Sequence, residues 1–322
     1  MEFRLEFNPK PLAAQIDLKD RIFLIGSCFT EQMGTKLDNH LFNTIQNPSG
    51  ILFNPLSICH SLETYVNGKK YSENELFYHS ELWGSWDHHT RFSAPTTEDC
   101  LNKINSSIQQ AHAFLKQTSW MMITLGSAFV YKKEGRYVAN CHKVPADKFE
   151  KVLLSADEIT ERLGDCIKQI KNHHPDIRFL FTISPVRHLR DGFVENNRSK
   201  ANLITAVHAL IQKWENAFYF PAYELIMDDL RDYRFFAEDM VHPNYAATQY
   251  VWEKFKNTAL TDATRNILKE IEILNNAFHH KPFHPDSDQH SKFKTQHLEK
   301  TLKLQKMMPY LPLSDYIQQF SP

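Results

Sequence analysis

The sequence predicts an α/β fold in which helices cover both faces of a mostly parallel, flavodoxin-like doubly wound sheet. The first observation is that short apolar runs alternate with longer amphipathic segments, a pattern typical of βαβ units. The second is the placement of glycine. Only 9 of the 322 residues are glycine, and Gly26, Gly50 and Gly126 lie at or just beyond apolar segments, where tight turns favour them. Right-handed crossovers between strands then predict the doubly wound arrangement.

The first predicted unit is a strand, a tight turn and a helix. Residues 21–26 read RIFLIG, a short β-branched and aromatic run that ends at glycine, and such a run favours a strand. Apolar residues then recur every four positions, which predicts an amphipathic helix. These residues are Phe29, Met33, Leu37 and Leu41.

The same alternation returns further along the chain. The later strands are predicted at 120–125, 178–184 and 217–221. The helices that precede them are predicted at 98–117, 156–172 and 198–214. Two more helices are predicted near 244–257 and at 259–277.

Two stretches interrupt this alternation. Residues 66–97 hold Trp, His and several turn residues, and they predict an insertion with short strands beside the sheet. Residues 131–150 predict a second, shorter excursion. We therefore expect one domain over 1–257 and a C-terminal helical extension over 258–322. The extension is expected to be partly mobile. Its end, from His279, is expected to be peripheral or partly mobile, with a short helix at 292–307.

Composition excludes several classes of protein. Hydrophobic residues make up 42% and charged residues 23%, an ordinary globular balance that excludes wholesale disorder. Lys and Arg total 37 and Asp and Glu total 38, so no nucleic-acid or anionic-membrane partner is predicted. No apolar run approaches the ~18 residues of a membrane span. The N-terminus lacks a signal-peptide pattern, and the five cysteines lack CxxC spacing. We expect a cytoplasmic protein that needs no metal and no other cofactor.

Ser27 is the first candidate for chemistry, because it directly follows the first predicted strand. Ligands of open α/β sheets bind at the carboxyl ends of the strands. A hydroxyl there lies near the amides of a helix N-terminus, which suit a developing oxyanion. Serine becomes a good nucleophile only when an adjacent base takes its proton. The alternative is that Ser27 only caps the helix, a position that serine favours.

Asp239 and His242 are candidates for that base and its partner. A spacing of three residues lets a turn bring the carboxylate to the imidazole Nδ1–H, which fixes the tautomer and stabilises the imidazolium. Pro243 suits the first turn of the following helix and would place His242 at its mouth. The alternative is a solvated loop pair. Ser27 combined with this DxxH pattern is more specific than either alone, because both are predicted at one edge of one sheet.

Four blocks in this order resemble the GSCFA-domain family. The blocks are Gly26-Ser27-Cys28-Phe29, Asn140-Cys141-His142-Lys143, Ser184-Pro185-Val186-Arg187-His188 and Asp239-Met240-Val241-His242-Pro243. Thr30 stands where the family name has Ala. The resemblance covers roughly residues 20–255 and implies a relation to SGNH (GDSL-type) hydrolases, with ester hydrolysis or acyl transfer as the activity. It implies Ser27 as nucleophile, His242 as base and Asp239 as the residue that orients His242.

The resemblance also implies oxyanion donors, and here the sequence departs from the usual SGNH pattern. In the usual SGNH pattern a glycine follows the second strand, and Gly50 stands at that place. Its N–H and that of Ser27 would both donate to the oxyanion. The strand predicted at 120–125 is followed by GSAF, which lacks the Asn of the usual GxND pattern. Ser127, or Asn140 from the following loop, is the predicted substitute. The alternative for Asn140 is that it caps a turn, which Asn favours.

Further candidates lie around the same edge. His89 belongs to another block that resembles the family, and it either lines the substrate cleft or packs on a tryptophan. Arg187 and His188 follow the strand predicted at 178–184 and would contact an anionic or sugar substrate, or Arg187 would form a structural salt bridge. His142 is a further substrate-binding candidate. A metal site at His142 and Cys141 is disfavoured, because no second ligand lies at suitable spacing.

These inferences combine into a predicted function. We expect an SGNH-type serine esterase or O-acyltransferase that acts on a short-chain acyl ester, with carbohydrate esters favoured by the resemblance. Cys28 is the alternative nucleophile, as a thiolate at a helix N-terminus, or else a small buried side chain. An alternative of another class is a non-catalytic ligand-binding module that kept the fold. The predicted partner is a small-molecule or carbohydrate ester, and the sequence leaves the oligomeric state open.

Overall fold

The computed structural model describes residues 4–321. Its strands, in chain order, are β1 (Arg21–Gly26), β2 (Asn43–Gln46), β3 (Phe77–His79), β4 (Leu82–Gly84), β5 (Trp120–Leu125), β6 (Phe129–Lys133), β7 (Arg136–Val138), β8 (Glu150–Leu153), β9 (Arg178–Ile183) and β10 (Ala217–Tyr219). Its helices are α1 (Cys28–Asn39), α2 (Pro55–Asn67), α3 (Thr97–Leu115), α4 (Ala156–His173), α5 (Gly192–Lys213), α6 (Ala222–Glu224), α7 (Tyr245–Ala259), α8 (Asp262–Phe278), α9 (Asp288–Met307) and α10 (Ser314–Phe320).

The central sheet has five strands in the order β10-β9-β5-β1-β2. Every pairing within it is parallel. The first strand of this sheet therefore lies between the second and the third, which is the flavodoxin-like order. The predicted fold class is confirmed, and β5 has the bounds that the sequence predicted for its strand.

The register of the sheet aligns the ends of its middle strands. Gly26 pairs with Thr124 and Leu125 pairs with Ile183, so β1, β5 and β9 end at one edge. Gly26 has a φ of +148°, and a Cβ there would lie 2.3 Å from the Thr124 carbonyl oxygen. Only glycine fits this close approach. The residues that follow these three strands consequently leave the sheet side by side.

Both faces of the sheet are covered, as expected for parallel strands. Phe23 and Ile25 of β1 face a core formed with α2, α3, α4 and α5. Ile22 and Leu24 face the opposite way, into a second core formed with α1, α7 and the C-terminal helices. Alternate residues of one strand thus enter opposite cores, because successive strand side chains point to opposite faces.

The C-terminal extension contributes to this second core. Leu268 and Ile271 of α8, Leu304 of α9 and Phe320 of α10 are buried there. The apolar residues of α8 repeat with helical period, so they form one buried face. The helix predicted at 292–307 begins earlier, at Asp288. Partial mobility of the extension stays a prediction.

The two predicted excursions are small β structures beside the carboxyl edge. Strands β3 and β4 form an antiparallel hairpin within 66–97. Strands β7, β6 and β8 form a three-stranded antiparallel sheet after β5. Trp86 links the two excursions, because its carbonyl accepts the Ala139 N–H at 2.7 Å. Together the two excursions form a wall beside the point where the chain leaves β5.

Candidate active site

Ser27 lies at the turn from β1 to α1, as predicted. Its Oγ accepts the Phe29 N–H at 3.3 Å, so it caps α1. The helix packs through Phe29, Met33 and Leu37, which are buried, and this packing fixes the cap against the sheet. Ser27 itself is only 2% exposed. Little of this residue is therefore open to solvent.

Asp239 and His242 form a hydrogen-bonded pair in the loop before α7. The Oδ2 of Asp239 lies 2.5 Å from Nδ1 of His242. Its Oδ1 accepts the backbone N–H groups of Val241 and His242, both at 3.0 Å. These two amides and the imidazole hold the pKa of Asp239 down at about 2. The carboxylate is ionised at neutral pH and keeps the Nδ1–H tautomer of His242, as a general base requires.

Backbone hydrogen bonds within the loop fix the conformation around Asp239 and His242. The Ala237 N–H donates to the His242 carbonyl at 2.7 Å, and Phe236 forms an isolated bridge with Pro243. Pro243 therefore lies outside the following helix, contrary to the prediction. Asn244 caps α7 by accepting the Ala247 N–H, because its side chain supplies the acceptor that proline lacks. His242 thus stands two residues before the cap, in a rigid turn.

Ser27 and His242 lie at the same end of two parallel helices. Gln32 of α1 lies 3.3 Å from Thr248 of α7, and Lys36 contacts Gln249 at 2.5 Å and the Tyr245 ring at 4.9 Å. The ring of His40, which caps the C-terminus of α1, packs against that of Trp252 at 4.9 Å. From the Gln32–Thr248 contact to the His40–Trp252 contact the numbers rise in both helices, so the helices run side by side in the same direction. Their N-terminal ends, preceded by Ser27 and His242, both lie at the carboxyl edge of the sheet. No hydrogen bond between Ser27 and His242 occurs in the part of the chain that the structure describes.

The amides predicted as oxyanion donors are already used within the fold. The Gly50 N–H donates to the Asn47 carbonyl at 2.8 Å, and the Ser27 N–H donates to the Thr124 carbonyl at 3.2 Å. The Ser127 N–H donates to the Phe53 carbonyl. Its hydroxyl is buried and lies 3.3 Å from that of Ser199. These bonds tie the strand ends together and leave none of the three groups free in this structure.

Asn140 takes the position of a turn cap. Its Oδ1 accepts the His142 N–H at 2.8 Å, and the Thr90 hydroxyl lies at 3.5 Å. The turn-capping alternative accounts for both contacts. The predicted role of Asn140 as an oxyanion donor gains no contact with Ser27 within residues 4–321.

His142 and His89 belong to the wall formed by the two excursions. His142 is buried, its Nε2 lies 2.9 Å from the Ser85 carbonyl, and its ring packs edge-on against Trp86. Burial lowers its pKa. His89 lies over Gly50, where an added Cβ would come within 2.1 Å of the His89 Cβ. His89 thus covers the turn after β2, and His142 packs within the wall through Ser85 and Trp86.

Arg187 and His188 come from the loop after β9 and reach toward the other site residues. The guanidinium of Arg187 lies over the ring of Phe236, 5.6 Å from its centroid. This stacking supports the loop of Asp239 and His242 from below. It replaces the predicted salt bridge, and the substrate contact stays a prediction.

His188 is the one predicted residue with a buried nitrogen that has no partner. Its Nε2 is buried without a hydrogen bond among the described residues. That nitrogen would lie 3.2 Å from a Cβ added at Gly126, and the ring lies 5.0 Å from that of Phe53. Burial first, and then the charge of Lys200, lowers its pKa to about 4, and His242 contributes to the same shift. His188 is therefore neutral at pH 7 and lies within electrostatic reach of His242.

Two family models match this chain over most of its length. The model described as the GSCFA family matches residues 21–255, and that described as the GSCFA domain protein, C-terminal domain, matches 271–321. The chain belongs to the GSCFA family. A solved structure similar to this GSCFA chain is the crystal structure of a carbohydrate esterase family 3 from Talaromyces cellulolyticus. It has 8% identity and a TM-score of 0.32, and the match covers 79% of this chain and 99% of that one. No curated protein matches the chain.

Cys28 of the GSCFA motif is half-buried beside Ser27. Burial raises the pKa of its thiol, and this outweighs the opposing effects of the Phe29 and Cys28 amides. A nucleophilic thiolate needs the opposite shift. The alternative of a packed, small side chain is the better description of Cys28.

Lys200 is a residue of the site that the sequence analysis missed. It lies on the buried face of α5, and its Nζ donates to the carbonyls of Gly126 and Ser184, both at 2.7 Å. A local signal was available, because Lys200 falls in helical register with the buried Leu203 and Val207. Lysine is usually exposed, so its place on an apolar stripe was itself informative.

The described helices include none that is long and apolar enough to cross a bilayer.

Proposed function

We propose that this GSCFA protein is a serine esterase or O-acyltransferase of SGNH type that acts on a short-chain acyl ester. The observation that carries the proposal is the Asp239–His242 pair, presented at the sheet edge where Ser27 follows β1. A carboxylate that holds an imidazole tautomer, together with a serine at a helix N-terminus, is the equipment of acyl transfer. Carbohydrate esters are the substrate class that the family resemblance favours.

The proposed reaction has two halves. The Ser27 Oγ attacks the ester carbonyl while His242 Nε2 takes the hydroxyl proton, and Asp239 stabilises the imidazolium. The tetrahedral intermediate then breaks its bond to the alcohol oxygen, and His242 gives the proton to the departing alcohol. Water or a sugar hydroxyl attacks the resulting acyl-serine, with His242 again as base, and releases the acid or the new ester.

His188 is an oxyanion donor in this proposal. The loop after β9 brings its Nε2 against Gly126, at the end of the strand that should have supplied the missing Asn. A neutral imidazole with Nε2–H is a hydrogen-bond donor. Its buried nitrogen has no partner in the described chain. The Ser127 N–H, by contrast, donates to Phe53, and the Asn140 side-chain oxygen is tied to the His142 N–H. An oxyanion would satisfy this donor, and a donor in a dry site stabilises developing charge strongly.

Replacing His188 tests this role. We expect His188→Leu to lower kcat for an acetyl ester by ~10²–10³-fold with little change in KM, because one oxyanion donor is lost. His188→Gln keeps an N–H donor of similar reach and should recover part of that loss. Arg198→Gln is the control, because Arg198 is an exposed residue of α5 that pairs with Glu195, and it should leave kcat unchanged. Equal activity of the His188→Leu variant and the wild type would exclude His188 as a donor.

The alternative of a non-catalytic ligand-binding module is favoured by one observation. The Ser27 and Gly50 amides are hydrogen-bonded within the fold, and Ser27 is nearly buried. A fluorophosphonate probe separates the two functions. We expect the wild-type protein to gain one covalent adduct by intact-protein mass spectrometry, because an activated serine attacks phosphorus. A protein that stays unmodified, yet is stabilised thermally by acetylated sugars, would be a binding module.

A further inference from the structure

Lys200 is buried in a way that few lysines are. It is 1% exposed, and its Nζ makes its two hydrogen bonds to backbone carbonyls rather than to a carboxylate. The titratable side chains that face it are Cys28 from α1, His188 from the loop after β9 and Tyr223 of α6, whose ring centroid lies 5.8 Å from Nζ. A buried lysine without an acidic partner is costly, and such groups cluster at functional sites.

The two carbonyls that Lys200 binds lie where the sheet comes apart. The last ladder bond between β5 and β9 runs from the Ser184 N–H to the Leu125 carbonyl at 2.8 Å. Beyond it, the Gly126 and Ser127 N–H groups turn away and donate to Phe53. Pro185, which follows Ser184, has no N–H to offer. Lys200 therefore donates to the Gly126 and Ser184 carbonyls at the point where the hydrogen bonds between β5 and β9 end.

We propose that Lys200 is a positioning residue of the candidate active site: its amino group clamps the ends of β5 and β9 together beneath the place where the acyl group binds. Gly126 is the contact point of the His188 ring, and Ser184 begins the loop that carries His188. Fixing both carbonyls fixes the donor nitrogen relative to the end of β1. The effect on turnover rests on the function proposed above, whereas the clamp itself does not.

The charge at the clamp depends on the protonation state of the Lys200 amino group. An ammonium has three N–H donors and a neutral amine has two, so both forms satisfy both carbonyls, but only the first brings a charge. Burial lowers the pKa of Lys200 to about 7, and the opposing pull of Cys28 is smaller. Below that pH the site contains a positive charge that favours an oxyanion, and above it the charge is lost.

The first measurement compares Lys200→Met with the wild type. Methionine fills similar space without a donor or a charge. At pH 6 we expect kcat for an acetyl ester and the rate of fluorophosphonate labelling to fall by ~10–10²-fold with KM nearly unchanged, because the loss acts on the transition state. Lys254→Met is the matched control. Lys254 is also buried, but it binds Glu6 and Asn8 on the far side of α7, so its loss should leave the rates unchanged.

The pH dependence separates a charged clamp from a merely structural one. The ratio of wild-type to Lys200→Met labelling rates should be largest below pH 7 and should shrink as the pH rises through about 7. A structural role alone gives a ratio that does not change with pH. Full activity of Lys200→Met at pH 6 would overturn the proposal, and a constant ratio would overturn the contribution of the charge. Lys200→Gln, which retains an N–H donor, replaces Lys200→Met if the latter fails to fold.

A stability measurement keeps this test independent of the proposed function. Between a folded-state pKa of about 7 and the ordinary value of 10.5, the unfolded chain holds a proton that the folded chain lacks. The wild type should therefore gain stability relative to Lys200→Met as the pH rises from 7 to 10. Urea unfolding of both proteins at several pH values measures this gain. If the wild type takes no probe, the esterase proposal fails. A stability difference that does not change with pH would reject the proton linkage of Lys200 independently of that proposal.

Discussion

Ser27→Ala is expected to abolish covalent labelling by a fluorophosphonate and to lower kcat for an acetyl ester by ~10⁴-fold or more, because the nucleophile is lost. The structure provides the reason: the hydroxyl lies at the N-terminus of α1, and the Asp239–His242 pair lies at the same end of the neighbouring helix. Alanine removes only one oxygen. The cap bond to Phe29 is lost with it, at a cost of ~1 kcal/mol of stability, which unfolding measurements will separate from the effect on turnover.

Cys28→Ala is the matched control for this experiment. The thiol is adjacent to Ser27 and is half-buried on the same helix turn, and burial raises its pKa. We expect the Cys28 variant to retain labelling and turnover within about threefold, since only packing is changed. A variant lacking Ser27 that stays active, together with loss of activity in the Cys28 variant, would make Cys28 the nucleophile.

Asp239→Asn is expected to have the second largest effect, a loss of ~10³–10⁴-fold in kcat with little change in KM. The carboxylate accepts hydrogen bonds from the imidazole and from two backbone amides. An amide in its place can keep the turn through its oxygen. It presents an NH₂ to Nδ1, however, so the imidazole adopts the tautomer that puts its proton on Nε2. The base then has no free lone pair toward Ser27.

Asp232→Asn controls for the loss of a charge in this region. Asp232 also caps a short turn, accepting the Arg234 N–H at 2.9 Å, and its pKa is also lowered by that bond. Its loss should leave kcat unchanged. The Asp239 effect should persist across neutral pH, because the carboxylate stays ionised down to about pH 2. Equal activities of the two variants would show that Asp239 only shapes its loop.

The fold was predictable because its signals are local. The short apolar run at β5 is bounded by turn-forming and polar residues, a pattern that predicts a buried strand in the interior of the sheet. The helix face of Phe29, Met33 and Leu37 repeats with the right period. The same period predicted that the helix continues to Leu41, but α1 ends at Asn39 and Leu41 has a φ of +63°. Local periodicity thus sets the element and its face, and tertiary contacts set where it ends.

The candidate site was predictable only in part. Asp239 and His242 lie three residues apart, so a single turn brings them together, and the spacing already indicates it. Lys200 contacts carbonyls that lie 74 and 16 residues away, and no spacing rule reaches that far. The Gly50 N–H is used in a turn in which it donates to the Asn47 carbonyl and Asn47 has a φ of +43°, a backbone conformation that the sequence did not indicate.

The central claim is that Ser27 is an activated nucleophile, and the most direct measurement is to find the residue that a fluorophosphonate modifies. The wild-type protein is treated with the probe, digested, and its peptides sequenced by tandem mass spectrometry. We predict a single adduct on Ser27, formed in the wild type and lost in the His242→Ala variant, because the base must take the proton. An adduct on another residue, or none while the protein is folded, would contradict the claim.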